Sequence, residues 1–180
     1  MTKYIAFLRA INVSGHRIIK MEELRKLFEE LKFKKVTTYI QTGNVIFETS
    51  IKDSHSLTKK IEKHLLKTLG YEVEVMIRTI PEMEEIIKNN PFKKDKLDKT
   101  LHLYLTFLYD EPSVELKKTL ISLSDDIATF KIREREVYTL YNKNNAKHPF
   151  SNNFVEKKLK VAATTRNWNV INKVLDFAKE

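Results

Sequence analysis

From Lys3 to Arg9 the chain places Tyr4, Ala6 and Leu8 on one side of an extended backbone and Ile5 and Phe7 on the other. Apolar residues on both sides predict a central strand covered from two directions. Ala10 to Ile19 shows no period and predicts an irregular connection. Met21, Leu24, Leu27, Phe28 and Leu31 then fall at helical spacing, with Glu22, Glu23, Arg25, Lys26, Glu29 and Glu30 between them, which predicts an amphipathic helix. Val36 to Ile40 and Val45 to Glu48 are β-branched and aromatic runs flanking Gln41-Thr42-Gly43-Asn44, a hairpin pattern. Leu57 to Leu69 carries a stripe of Leu57, Ile61, Leu65, Leu66 and Leu69 and stops at Gly70. Glu72 to Arg78 alternates Val73, Val75 and Ile77, so the order is β-α-β-β-α-β, the split βαβ unit.

The second half follows a similar order. Thr79-Ile80-Pro81-Glu82 has capping-box spacing and opens a helix to about Asn89, and Asn89-Asn90-Pro91 with the charged run Lys93 to Lys99 marks a boundary. Leu101 to Phe107 alternates as a strand, Pro112 to Leu123 reads as a helix, and Ile127 to Ile132 with Glu136 to Tyr141 reads as a hairpin. Helices are expected over Ser151 to Lys160 and Thr165 to Lys179, with Arg166, Asn167 and Trp168 in the first turn of the last. The fold class is α/β (α+β): two ferredoxin-like (split βαβ) modules, mainly antiparallel sheets with helices packed on them. The expected division is residues 1–79 and 100–180, joined by a bridging helix and linker over 80–99.

Composition narrows what such a chain does. With 180 residues, 42% hydrophobic and 32% charged, and only three Gly and four Pro, disordered and fibrous classes are out. The absence of cysteine excludes a disulfide scaffold, a thiolate nucleophile and cysteine-held metal, and fits a reducing compartment. No run approaches the ~18 apolar residues of a membrane helix, so no membrane partner is expected and the cytoplasm is the expected location. The net charge of +9 invites a polyanion. Yet residues 1–90 carry 16 basic and 12 acidic groups and residues 91–180 carry 17 and 12, so neither half is a basic arm. The lysines are interspersed with acids on helix faces, as a solvated surface is.

Chain topology supplies a sharper clue. In this unit the loop after strand one, the start of helix one and the turn between strands two and three share one sheet edge. That edge would gather Arg9, Asn12, Ser14, Gly15, Arg17 and Lys20 with Gln41 and Asn44. Arginine forks, carboxamides and backbone amides near a glycine suit an anionic, hydrogen-bonding ligand. A long loop at a sheet end is more often functional than idle. Each member also has a plain structural role open to it: turn conformation for Gly43 and Asn44, solvated surface for His16 and Arg17. The five histidines show no metal-ligand spacing, and no phosphate-loop or nucleophile-elbow string occurs. An RNA-recognition module shares the element order, but Val45-Ile46-Phe47-Glu48 offers one aromatic where base stacking wants several.

Three strings, Arg9-Ala10-Ile11-Asn12-Val13-Ser14-Gly15, Tyr39 to Phe47 (Y-I-Q-T-G-N-V-I-F) and Thr165-Arg166-Asn167-Trp168-Asn169, together resemble the bacterial family called domain of unknown function 1697. The family patterns are close to R-G-I-N-V-G-G, Y-I-Q-S-G-N-V-x-F and T-x-R-N-W; Ala10, Ser14 and Thr42 depart from them. The resemblance implies two ferredoxin-like modules and brings no activity. It adds Arg166 and Asn167 to the ligand-binding candidates, while Tyr138, Tyr141 and Lys147-His148 are candidates for a cleft between modules. The leading expectation is a small phosphate- or carboxylate-bearing, nucleotide-like ligand; the alternatives are an RNA or single-stranded nucleic-acid binding module and a protein-interaction adaptor. Catalytic residues, cofactor and oligomeric state are not specified, and no metal site is expected.

Overall fold

The computed structural model describes residues 1–13 and 15–180. Its elements are β1 (Thr2–Leu8), α1 (Met21–Glu30), β2 (Lys34–Tyr39), β3 (Asn44–Thr49), α2 (Ser54–Leu69), β4 (Val75–Thr79) and α3 (Ile80–Lys88). They continue as β5 (Leu101–Leu108), α4 (Val114–Ser122), β6 (Ala128–Arg133), β7 (Glu136–Asn142), α5 (Asn152–Leu159), β8 (Ala163–Asn167) and α6 (Trp168–Lys179). Two four-stranded sheets run in the orders β2-β3-β1-β4 and β6-β7-β5-β8, with every neighbouring pair antiparallel. The expected α/β architecture is present, and both halves complete the β-α-β-β-α-β order. Two compact units divide the chain: Met1–Glu84 with Val174–Glu180, and Glu85–Lys173.

In the first unit β1 is central and buried on both faces, as its two apolar rows require. One row, Tyr4, Ala6 and Leu8, joins Val45, Phe47, Val75 and Ile77 beneath α1 and α2 through Leu24, Phe28, Leu57, Ile61 and Leu65. Asp53 caps α2 by accepting from the Ser56 amide at 2.8 Å, and Gly70 ends it in the left-handed region at φ 78°. The other row carries Ile5 and Phe7. On that side of the sheet the Phe177 ring of α6 lies 5.6 Å from Tyr39, and Lys3 Nζ donates to the Ala178 carbonyl at 2.7 Å.

The second unit repeats this backbone closely. Leu8 N–H donates to the Gly43 carbonyl and Leu108 N–H to that of Arg135; Arg9 N–H donates to Glu74 and Tyr109 N–H to Ala162. Matching registers bring Arg78 opposite Ile5 and Arg166 opposite Leu105, so each sheet holds a buried arginine at the same place in its outer strand. Side chains differ more. Phe47 stands opposite Tyr4, whereas Thr139 stands opposite Tyr104, and the buried Thr139 hydroxyl has no hydrogen-bond partner. Helix α5 has 8 residues where α2 has 16.

Two sequence-based expectations need correction. Residues Thr165 to Asn167 are strand, not helix, so Arg166 and Asn167 precede α6 instead of forming its first turn. Thr164 and Thr165 are β-branched and the run pairs with β5, and the Asn167 side chain then caps the helix by accepting from the Asn169 amide at 2.9 Å. The strand expected from Glu72 begins at Val75, because the preceding residues serve the loops at the sheet edge.

Candidate functional site

The edge that topology predicts is built around the end of β1. The Leu8 amide bonds the Gly43 carbonyl at 2.8 Å and the Arg9 amide bonds that of Glu74 at 2.9 Å, so the β2–β3 turn and the segment before β4 flank the strand end. Asn12, at φ 54°, ties the remaining loop to both sides. Its Nδ2 donates to the carbonyls of Ile19 (3.0 Å) and Gln41 (2.9 Å), and its Oδ1 accepts from the Ile19 amide at 2.8 Å. The Asn12 loop and the hairpin turn therefore share one rim.

Asn12 is thus a staple as much as a candidate ligand group. Asn12→Ala removes three hydrogen bonds, each worth about 1 kcal/mol net, and puts alanine in a left-handed conformation. We expect a loss of about 3 kcal/mol and fast amide exchange at Ile19; slow exchange there in the variant would show that other contacts hold the loop.

The other candidates sort by what they touch. Arg9 lies at the rim: its side chain is 28% exposed and Nη1 pairs with Glu74 Oε2 at 3.2 Å. Arg17 donates to the Glu72 carbonyl at 3.1 Å and lies over the Tyr71 ring, 5.0 Å from its centroid. Lys20 precedes α1 and is exposed, as are Gln41 and Gly15. Asn44 is wholly buried and holds the turn, donating to the Tyr39 carbonyl at 3.1 Å and to Thr42 Oγ1 at 2.9 Å. The turn's left-handed residues are Ile40 and Gly43, not Asn44. Ser14 lies outside the described residues.

Arg166 and Asn167 belong to the second unit. Arg166 Nη1 donates to Thr164 Oγ1 (2.7 Å) and to the Thr165 carbonyl (2.9 Å), and desolvation by burial pushes its guanidinium down to about 10, still cationic at neutral pH.

Sequence reasoning gave less weight to a cavity of about 390 Å³ built wholly from residues 102–150 of the second unit. Tyr141, Lys147 and His148, assigned from sequence to a cleft between modules, line it with His102, Tyr104, Lys143 and Phe150. Tyr104 stacks on Phe150 (centroids 5.0 Å apart), and Tyr141 presents its edge to Tyr104 at 6.3 Å. Burial, reinforced by Tyr141, raises the Tyr104 phenol above its ordinary value, so it stays protonated at neutral pH. The aromatic residues at 102, 104 and 141 were visible in the sequence, but only the pairing of β5 with β7 places them on one face.

Among the described residues no cluster of His, Asp or Glu could hold a metal ion, and no helix is long and apolar enough to cross a membrane. A family model described as a protein of unknown function, DUF1697, matches residues 1–138. The fold is similar to that of the conserved bacterial protein SP0830 from Streptococcus pneumoniae: 24% identity, a TM-score of 0.76, and coverage of 100% of this chain and 99% of that one. No curated protein matches the chain.

Proposed function

The chain belongs to the DUF1697 family of proteins of unknown function, and from that premise we propose that it is a cytoplasmic protein that binds a small phosphate- or carboxylate-bearing ligand at the edge of its N-terminal sheet. What supports this reading is the pair of arginine forks at one rim. Arg9 anchors on Glu74 and Arg17 on Glu72, two residues apart and so no more than about 7 Å along the backbone. Both side chains are partly open to solvent, and exposed Lys20 and Gln41 add donors. Planar forks suit the paired oxygens of phosphate or carboxylate. Glu74 stands in for the ligand's anion in this arrangement, so a bound anion competes with it for Arg9.

A thermal-shift screen of nucleotides and phosphorylated metabolites tests the reading. A ligand at 100 times its dissociation constant adds about 2.7 kcal/mol of stability. Arg9→Ala is expected to abolish the shift while changing basal stability by about 1 kcal/mol or less, because a partly exposed ion pair at the rim contributes little. Glu74→Gln should strengthen binding. A blank screen on the folded protein, or shifts indifferent to both substitutions, overturns the proposal. Salt-sensitive retention on RNA or heparin that Arg9→Ala leaves intact would favour the nucleic-acid alternative instead.

A further inference from the structure

The cavity of the second unit has a physical origin in the repeat. In the first sheet the face carrying Tyr4 and Phe47 packs in one core cluster with Phe28 of α1 and with Leu57, Ile61 and Leu65 of the 16-residue α2. In the second, α5 has 8 residues and begins only at Asn152, so the end of the corresponding face, with His102, Tyr104 and Tyr141, is left to the loop after β7. That loop is tied at both ends. The Lys143 amide donates to the Thr100 carbonyl at 2.7 Å, and the Tyr141 hydroxyl donates to the His148 carbonyl. Phe150 then turns back to stack on Tyr104 and to meet Tyr141 at 5.8 Å.

We propose that this cavity binds a small molecule joining a planar aromatic ring to an anionic group. Three observations carry it. The walls are ring faces and edges: Tyr104, Tyr141 and Phe150, with His102 parallel to Tyr104 within 15°. Such walls favour an aromatic guest over an aliphatic one. The polar lining is basic, with Lys143 and Lys147 exposed beside it and no Asp or Glu among its lining residues. Finally, about 390 Å³ lies at the small end of the range for ligand sites, room for one ring system and its substituent and not for a dinucleotide. This site is independent of Arg9 and of the rim of the first sheet.

Calorimetric titration of the full chain with adenosine monophosphate, adenosine, inorganic phosphate and 4-hydroxybenzoate tests the assignment. Adenosine monophosphate or 4-hydroxybenzoate is expected to bind at least about tenfold more tightly than adenosine or phosphate alone, since the ring and the charge each contribute. Preference for the first identifies a phosphate ligand, for the second a carboxylate. Lys143→Gln with Lys147→Gln, both on the surface, should weaken the anion about tenfold without unfolding the protein. Phe150→Leu should weaken binding while keeping an apolar packing group, and Arg9→Ala should change nothing. The proposal fails if neither ring-bearing anion binds, if the double lysine variant binds as the parent does, or if a single-stranded RNA hexamer binds about a hundredfold more tightly than the mononucleotide.

Discussion

Phe47→Ala is expected to destabilise the first unit by about 4 kcal/mol, the largest effect of any single substitution considered. Phe47 is fully buried on β3 and is the meeting point of three rings: Phe33 at 4.6 Å, Phe28 at 5.4 Å and Tyr4 at 5.8 Å. It therefore joins the sheet to α1 and to the segment that follows it. Truncation removes its transfer energy, leaves a cavity, and takes one partner from each of three aromatic pairs. Phe28 and Phe33 are themselves 6.2 Å apart and leave little freedom for collapse into the gap. Urea unfolding followed by far-ultraviolet circular dichroism should show a lower midpoint at unchanged slope. A loss below about 1 kcal/mol would mean that the surrounding rings repack, and that this cluster is not what fixes the helices on the sheet.

The same register explains what could and could not be read in advance. β1 and the β2–β3 hairpin were legible because two local signals coincide there: apolar alternation on both sides of Lys3–Arg9, and turn residues between two β-branched runs. Topology then brought Asn12 and the hairpin turn to one rim without any long-range information, since the antiparallel middle strand leaves no other place for them. β8 was not legible. Its five residues follow directly into α6 without a breaker, and Asn167 offers a helix-capping signal whose position only the pairing with Tyr104 resolves. Arg78 and Arg166 illustrate a second limit. Their equivalence lies in hydrogen-bond register, while the residues around them have diverged, so two strands that occupy the same place share almost no pattern along the chain. The aromatic cavity escaped for a related reason. It arises from the missing turns of a helix, and nothing in a short amphipathic run announces which part of a sheet it fails to cover.

Gly43→Ala tests the rim itself. Gly43 sits at φ 73°, where an L side chain costs roughly 1–2 kcal/mol, and a Cβ there would meet Leu8 Cβ at 3.1 Å and Ile11 Cβ at 3.3 Å. Both neighbours are buried and are main-chain-fixed atoms, so the strain cannot be relieved by rotating a flexible side chain. We expect a total loss of about 3 kcal/mol. Gly70 provides the control, because it ends α2 at φ 78° with nothing within 4 Å of its missing Cβ. Gly70→Ala should therefore cost only the conformational part, about 1 kcal/mol. The difference between the two variants measures the close approach of the turn to Leu8 and Ile11, which draws the β1–α1 loop and the hairpin together. If the two substitutions prove equally costly, the turn has room to move away from Ile11, and the common placement of Arg9, Asn12 and Gln41 is looser than their hydrogen bonds imply. If Gly43→Ala is the more harmful by about 2 kcal/mol, the rim is a fixed surface, and any ligand held by Arg9 and Arg17 meets it already formed.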